Sequence, residues 1–421
     1  MKKVNIGLIG LGTVGSGVIK TLRNFEYMSV KKIAVKSIAK KRNIEGLDES
    51  LLTTDAFSIV NDADIDIVVE VIGGVEPAFD LIKTAIKNKK HIVTANKELL
   101  AKHGEELFKL ASENNVVIMY EAAVGGGIPI IMPVKMTLSA NKINKIAAIL
   151  NGTTNYILTK MDQEGADYTE VLSEAQKLGY AETDPTGDVE GADAAYKIAT
   201  LATIAFKKRV NIKNIHKEGI TKISARDMAY AKKLGYKIKL IALAVMDGDK
   251  ADVRVHPMLV NNSHPLANIN GVTNAVLLEG EPVGQIILSG PGAGEFPTAS
   301  SVVGDIIAIC SELHKPEAML PMMRCNHSEN AIPVNILETK NKYYMLLNVA
   351  NTPGVIGTIG AICGKHNINL ASLLQHDSKT SGAEVVVITD KCLESDMQCA
   401  IGELKSNDAI NNVLSIIRVM E

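Results

Sequence analysis

The 421-residue chain has almost no net charge: 45 lysines and arginines against 47 aspartates and glutamates leave a formal −2 at pH 7. That balance gives no electrostatic footing for nucleic acid or for an acidic membrane surface. Cysteine is scarce as well. Cys310, Cys325, Cys363, Cys392 and Cys399 form no C-x-x-C pair and have no partner histidine spacing, which argues against structural zinc and against a disulfide framework. They read as free thiols of a reducing compartment. No apolar run is long enough for a membrane span, and the opening MKKVNIGLIGLG is strand and turn without a cleavage site. A cytoplasmic protein is expected. The length exceeds one simple core and suggests two or three domains.

What is present is concentrated in AQKLGYAETDPTGDVEGADAAYK, Ala175 to Lys197. Glu182, Asp184, Asp188, Glu190, Asp193 and Lys197 crowd around the turn-formers Gly179, Pro185, Gly187 and Gly191. Regular periodicity resumes at VEGADAAYKIATLATIAF, which predicts a buried helix. Asp193 and Lys197 then stand four apart on one face, where a carboxylate can hold an ammonium and both can point at one ligand. A surface pair of this spacing contributes only about 0.2–0.5 kcal/mol. Here the flanking Ala194, Ala195, Ile198, Ala199 and Leu201 put the pair beside a core.

At the N-terminus the apolar strand Val4 to Ile9 runs into Gly10-Leu11-Gly12-Thr13-Val14-Gly15 and a helix-like segment. Glycine turns are common, but between strand and helix this one reads as a dinucleotide-binding turn. Gly10 makes the tight turn, Gly12 lets the backbone approach a pyrophosphate, and Gly15 lets helix and strand pack. The helix start around Thr13 and Val14 faces the phosphates with free N–H groups. An acid about 20 residues further on would accept hydrogen bonds from the adenosine ribose. None stands between Glu26 and Glu45, whereas Lys31, Lys32, Lys36, Lys40, Lys41 and Arg42 do. Two readings stay open: a pocket for the 2′-phosphate of NADP, with Lys36 and Ser37 just after the second strand, and a solvated lysine-rich loop. NADP is the expected cofactor, with NAD as the alternative.

Strands expected at Val4–Ile9, Lys32–Val35, Asp66–Ile72, His91–Thr94 and Val116–Tyr120 alternate with helical patterns, the rhythm of a parallel, doubly wound sheet. Ligands of such sheets bind beyond the carboxyl ends of strands. Those ends are Ile72-Gly73-Gly74, Thr94-Ala95-Asn96-Lys97 and Glu121 to Gly127. A lysine at a helix start opposes the helix dipole, so Lys97 either meets an anionic ligand or snorkels at the surface. The glycine run after Glu121 either offers carbonyl oxygens to a hard cation or marks a tight backbone crossing. From about residue 130 a mixed region follows, with strands expected near Ile143–Leu150 and Gly219–Lys222. Its polar cluster Asn151-Gly152-Thr153-Thr154-Asn155-Tyr156 suits an amino-acid ligand, or caps a helix. Ser289 to Gly294 is a glycine-rich turn before the helical TASSVVGDIIAICSEL.

Residues 321–342 are polar and aperiodic and read as a linker. Beyond it, YYMLLNVAN, a Pro353-Gly354-Val355 turn, IGTIGAICGKHNINLASLLQH, GAEVVVITD, a helix near Leu393–Lys405 and NVLSIIRVM give the order β-α-β-β-α-β of ferredoxin-like modules. This segment resembles an ACT domain.

The spacing Ala-x3-Gly-Tyr-Ala-x2-Asp-Pro-x2-Asp-Val-x-Gly-x-Asp-x3-Lys, from Ala175 to Lys197, resembles the signature of homoserine dehydrogenases, with every fixed position present. The resemblance covers nearly the whole chain. It implies an α/β protein: a Rossmann-type parallel sheet in residues 1–130, completed by about 295–318, a mixed α/β catalytic and dimerisation domain at 131–320, and an ACT regulatory domain at 343–421. The implied reaction is the NAD(P)-dependent interconversion of L-aspartate 4-semialdehyde and L-homoserine in threonine, methionine and isoleucine biosynthesis. By the same resemblance Lys197 is the proton donor, Glu182 and Asp193 hold the substrate ammonium, and Asn151 and Thr153 bind substrate. Thr94 lies at the nicotinamide, Lys97 lies at both nicotinamide and substrate as a catalytic residue, Gly179 and Gly294 border the cofactor, and a monovalent cation, sodium, sits on the backbone of Glu121, Val124, Gly126 and Ile128. A homodimer or homotetramer is implied, with threonine as effector at Asn351 to Ile356; cutting near Pro333 should then remove regulation and leave the catalytic core. The alternative is a sensor that keeps the cofactor fold and only binds an amino acid, a reading that an intact Lys197, Asp193 and Glu182 disfavour.

Overall fold

The computed structural model describes residues 3–313, 329–377 and 382–420. The first elements in chain order are β1 (Val4–Ile9), α1 (Thr13–Leu22), β2 (Met28–Ala34), β3 (Leu52–Thr53), α2 (Phe57–Val60), β4 (Ile67–Glu70), α3 (Ala78–Lys87), β5 (His91–Thr94), α4 (Lys97–Asn114) and β6 (Ile118–Met119). Then come β7 (Lys142–Ile149), α5 (Gly152–Glu164), α6 (Tyr168–Lys177), α7 (Thr186–Val189), α8 (Ala192–Phe206), β8 (His216–Lys217), α9 (Ala225–Lys233), β9 (Tyr236–Asp247), β10 (Lys250–Asn261), β11 (Thr273–Glu281), β12 (Gly284–Pro291) and α10 (Glu295–Leu313). The last run is β13 (Ile332–Pro333), β14 (Lys340–Val349), α11 (Val355–Lys365), β15 (Leu370–Asp377), β16 (Ala383–Thr389), β17 (Cys392–Leu393), α12 (Glu394–Lys405) and β18 (Ile410–Val419). The described residues of Met1–Ile146, Ala194–Ile215 and Thr273–Ala331 form one compact unit, and those of Ala147–Asp193, His216–Val272 and Ile332–Glu421 form another.

In the first unit six parallel strands lie in the order β3-β2-β1-β4-β5-β6. Strand order reverses between β1 and β4, the place where such sheets open a crevice for a dinucleotide. The strands are apolar almost throughout because both faces are covered. Ile6, Leu8, Ile67, Val69 and Val93 bury against Val18 of α1 and Ala299, Val302, Val303 and Ile306 of α10. Close approach of α1 to α10 depends on Gly17, where a Cβ would fall 2.6 Å from the Glu295 carbonyl oxygen. Strand ends differ from those expected: β2 runs from Met28 to Ala34, and β4 and β6 shorten to Ile67–Glu70 and Ile118–Met119. Pairing with neighbours, and not hydrophobicity alone, sets those limits.

In the second unit β9 and β10 form a long antiparallel hairpin. The other edge of β10 is covered in three short parallel pieces. Ile332 and Pro333 of β13 lie beside Lys250 and Ala251, His216 and Lys217 of β8 beside Arg254 and Val255, and Arg418 and Val419 of β18 beside Met258 and Leu259. β18 also belongs to the antiparallel set β18-β14-β16-β15, which with α11 and α12 gives the expected β-α-β-β-α-β module. Its core includes Tyr343, Met345, Ile359, Val385, Met397 and Leu404. Arg418 ties this module to the rest of the unit: Nε and Nη2 donate to the two Glu394 oxygens at 2.9 Å each, and Nη1 donates to Glu218 at 2.9 Å. Tyr343 donates its hydroxyl to the same Glu394 carboxylate.

Three expectations need correcting. No strand occupies Gly219–Lys222; the strand is His216–Lys217, and Gly219 lies in a loop where a Cβ would fall 2.3 Å from the Val189 carbonyl oxygen. The buried helix starts at Ala192, because Gly191 at φ +79° separates it from the single turn of α7. Of the expected linker, 321–328 lies outside the described residues, Ile332–Pro333 pairs with β10, and β14 already begins at Lys340. The C-terminal module therefore shares a sheet edge with the hairpin, so a cut after Pro333 takes β18 away from β10. Among the described residues no helix is long and apolar enough to cross a membrane.

Candidate active site

The glycine turn after β1 is closed on one side and open on the other. Gly10 sits at φ +108°, and a Cβ on Gly15 would fall 2.2 Å from the Gly10 carbonyl oxygen. A Cβ on Gly12 would meet nothing within 4 Å, and Gly12 and Thr13 are exposed while Leu11 and Val14 are half-buried. α1 begins at Thr13 without a side-chain cap, leaving its first N–H groups for an anion. Beyond β2, Lys36 and Ser37 are exposed, and Arg42 folds back so that its guanidinium donates to the carbonyl oxygens of Ser37 at 2.7 Å and Lys40 at 2.8 Å.

At the end of β4 a fully buried Glu70 organises the next two loops. One carboxylate oxygen accepts the N–H groups of Ile72 and Gly73, and the other accepts the Thr94 hydroxyl at 2.6 Å. Thr94 Oγ1 in turn accepts the Asn96 N–H. Asn96 caps α4 by accepting from Leu99 N–H and donates its amide to the Gly74 carbonyl at 2.6 Å. Lys97, half-buried, is thus the first residue of a helix whose start is pinned. Burial pushes the Glu70 carboxyl upward, and the bonds from Thr94, Ile72 and Gly73 work against that. Sequence reasoning missed Glu70, whose signal is a lone acid closing the apolar run Ile67–Glu70.

The loop after β6 is held by its own first residue. The buried Glu121 carboxylate accepts N–H groups from Ile130 at 2.6 Å and from Ile131 and Met132 at 2.7 Å. Its own N–H donates to Asp305 of α10 at 2.8 Å. Burial raises both carboxyls, and Lys135 is the cation acting on each. Val124 and Ile128 are buried, and Gly125 and Gly126 take φ values of +74° and +58°. A side chain at Gly126 is excluded, since its Cβ would fall 2.3 Å from the Gly292 carbonyl oxygen; the Gly126 carbonyl accepts the Ser301 hydroxyl at 2.7 Å. Two buried carboxylates near a run of carbonyl oxygens, each with a second lone pair, fit a monovalent cation. Asp305 carried no signal in the sequence beyond being one acid in an apolar helix.

On the substrate side Asn151 does two jobs. Its side-chain oxygen caps α5 by accepting from Thr154 N–H at 2.9 Å, and its amide nitrogen donates to Asp188 at 2.7 Å and Asp193 at 3.0 Å. Asp193 and Lys197, one turn apart on α8, are only 7% and 8% exposed. The Thr153 hydroxyl donates to the Tyr180 carbonyl at 2.6 Å. Asn151, Asp188 and Asp193 are therefore brought together, with Asp188 an addition to the expected set. Glu182 is not: its carboxylate is exposed, and among the described residues no hydrogen bond joins it to that cluster. Gly179 and Gly294, both exposed, adopt φ +77° and +121° at the end of α6 and before α10.

Residues 10–121 match the model of the homoserine dehydrogenase NAD-binding domain, 129–307 that of homoserine dehydrogenase, and 343–408 that of the ACT domain. A homoserine dehydrogenase of Synechocystis sp. is 46% identical, with 99% of each chain covered. The chain belongs to the homoserine dehydrogenase family. The crystal structure of a homoserine dehydrogenase from Thiobacillus denitrificans is 38% identical, covers 100% of this chain and 99% of its own, and superposes with a TM-score of 0.94. A hyperthermophilic archaeal homoserine dehydrogenase in complex with NADPH is 29% identical, with a TM-score of 0.64 over 74% of this chain and 98% of its own. The enzyme is an NAD(P)-dependent oxidoreductase whose glycine turn, Glu70–Thr94–Asn96 chain and Asn151 cluster lie within those matched segments.

Proposed function

We propose that the enzyme reduces L-aspartate 4-semialdehyde to L-homoserine, for threonine, methionine and isoleucine biosynthesis, with NADPH as preferred donor. When bound, the dinucleotide supplies hydride from its nicotinamide. Gly10 to Gly15 take its pyrophosphate, Lys36 takes the 2′-phosphate, Thr94 and Lys97 border the nicotinamide, and Gly179 and Gly294 border the cofactor. Lys197 gives the proton to the developing alkoxide, and Asp193, aimed by Asn151, holds that ammonium and, with the exposed Glu182, the substrate ammonium. Thr153 completes the substrate contacts. Sodium, on the backbone of Glu121, Val124, Gly126 and Ile128, braces the loop next to the buried Glu121 and Asp305. The ACT module takes threonine at Asn351 to Ile356, and the enzyme works as a homodimer or homotetramer.

The observation that carries the reading is the burial of Asp193 and Lys197 one turn apart on α8, with Asn151 donating to Asp193 at 3.0 Å. Burying an anion and a cation in an apolar helix is a cost that packing alone does not explain. Following nicotinamide absorbance with homoserine tests it. Lys197→Ala should lose about 10²–10⁴ in rate, the usual worth of a positioned acid, while NADPH binding survives. Near-normal kcat in that variant removes Lys197 from the chemistry.

A further inference from the structure

Among the described residues several buried cations take no part in the proposed chemistry, and Lys239 is one of them. Lys239 stands on β9 and is 2% exposed. Its Nζ donates to Asn155 Oδ1 at 3.1 Å, to the Ile269 carbonyl at 2.5 Å and to Asn270 Oδ1 at 3.3 Å. All three partners are neutral amide oxygens, and they use the three donors an ammonium has. Burial drives its pKa down to about 8, with Lys237 adding to the effect. Among the described residues its hydrogen bonds all go to neutral oxygens, and the Asp162 charge acts on it only through space; a buried ammonium so held is unfavourable for stability, so its place calls for a reason in geometry.

That geometry leads to α5. The Asn155 amide nitrogen donates to the Ile269 and Gly271 carbonyls at 3.1 and 2.9 Å. Thr159, one turn later, accepts the Gly271 N–H at 3.2 Å and donates to the Asn155 carbonyl at 2.6 Å. The 269–271 loop is thus fastened to the first two turns of α5, and Lys239 holds both loop and helix. Asn155 lies one helical turn after Asn151, which donates to Asp188 and Asp193, and Thr153 between them donates to Tyr180.

We propose that Lys239 is a positioning residue for the substrate: by gripping Asn155 and the 269–271 loop it fixes the first turn of α5, and so sets Asn151 and Thr153 at the distance from Asp193 that homoserine needs. This rests on the reading of Asn151 and Thr153 as substrate contacts. Methionine at 239 has similar length and no donors, and removes the bonds to Asn155, Ile269 and Asn270. A displacement of about 1 Å in such a group costs on the order of 10²-fold.

The test uses the full-length enzyme with Lys239→Met, Asn155→Ala, the double variant, and Asn151→Ala, measuring kcat and KM for homoserine, NADPH affinity and melting temperature. Lys239→Met should raise KM and cut kcat/KM by roughly ten- to a hundredfold, with NADPH affinity unchanged. The double variant should fall no further than the worse single one, because both act through one contact. Multiplicative losses, or NADPH affinity lost in parallel, would mean general loosening and overturn the proposal. If Lys239→Met does not fold, Asn155→Ala decides, since it must show the same rise in KM. Should Asn151→Ala leave KM for homoserine unchanged, the substrate reading falls and the proposal with it; should Asn151→Ala raise KM while Lys239→Met does not, that reading stands and Lys239 alone is dismissed.

Discussion

Replacing Arg418 by methionine isolates the buried ion cluster that joins the C-terminal module to the hairpin of the second unit. The guanidinium side chain is 7% exposed and makes three charge-assisted hydrogen bonds of 2.9 Å, two of them a fork on Glu394, whose side chain is 2% exposed. Burial works to raise the Glu394 carboxyl, and Arg418 overcomes it, holding the group below its ordinary value. Glu218 is 43% exposed in its side chain, so water already screens it and its bond counts for little. Methionine fills the volume but leaves the Glu394 carboxylate, among the described residues, with the Tyr343 hydroxyl and the Gln398 amide as its remaining side-chain donors. Removing one partner of a buried pair costs about 3–5 kcal/mol, which urea unfolding followed by far-UV circular dichroism at pH 7 will register. Adding Glu394→Gln should restore much of the loss, since no charge is then left behind. The acid limb supplies a second check. Glu394 and Glu218 both sit below their ordinary values when folded, Glu218 at about 2 against burial that would raise it, through His216 and Arg418. The stabilisation, chiefly that of the buried Glu394 because water screens Glu218, is present above the unfolded carboxyl value of about 4.3 and disappears as pH falls through the folded values, so the variant should lose less than the parent between about pH 4.5 and 2. A variant within 1 kcal/mol of the parent at pH 7, or a double variant worse than the single, refutes this account.

Other outcomes follow from close contacts and burial. Gly15→Ala should lower both melting temperature and NADPH affinity, because its Cβ would lie 2.2 Å from the Gly10 carbonyl oxygen, whereas Gly12→Ala, with nothing within 4 Å, should lower affinity alone; a Gly12 variant that melts early contradicts this. Lys239 titrates near 8 when folded against 10.5 in its ordinary state, so above pH 8 the unfolded chain binds a proton the folded one has released, and from pH 8 toward 9.5 the parent should gain on the order of 1–2 kcal/mol relative to Lys239→Met. The buried thiols Cys310, Cys363 and Cys392, each raised to about 11 by burial, act in the opposite direction in both proteins, so the difference between parent and variant is the readout; urea midpoints whose separation does not change across this window would count against it. Threonine should inhibit the intact enzyme, and Asn351→Ala should relieve inhibition without loss of dehydrogenase rate, a cleaner test than truncation because the module completes the edge of β10; inhibition that persists in that variant points to competition at the homoserine site.

The parallel sheet, the glycine turn and the C-terminal module were legible because each leaves a local mark: apolar runs at strand spacing, glycines at fixed offsets, and alternating periods of two and 3.6. The buried helix with Asp193 and Lys197 was legible for the same reason. Glu70 was not, since a single acid at a strand end looks like ordinary punctuation until Thr94 and the Ile72 and Gly73 N–H groups converge on it. Lys239 and Arg418 were equally opaque: each is a cation within a strand, and their partners lie up to 200 residues away. The strand expected at Gly219–Lys222 is a loop, because close approach to the Val189 carbonyl oxygen demands a glycine at 219.

The patchwork edge of β10 also sets a timetable for synthesis. Met258 and Leu259 leave the ribosome about 160 residues before Arg418 and Val419, the pair that lies beside them. At 5–20 residues per second that interval lasts roughly 10–30 s. Throughout it the growing chain carries a strand bearing Val253, Val255, Met258 and Leu259 with much of one side unpaired, the kind of edge that recruits other strands. Slower growth temperature or a holding chaperone should therefore raise soluble yield mainly by protecting this one strand until the final ten residues of β18 arrive.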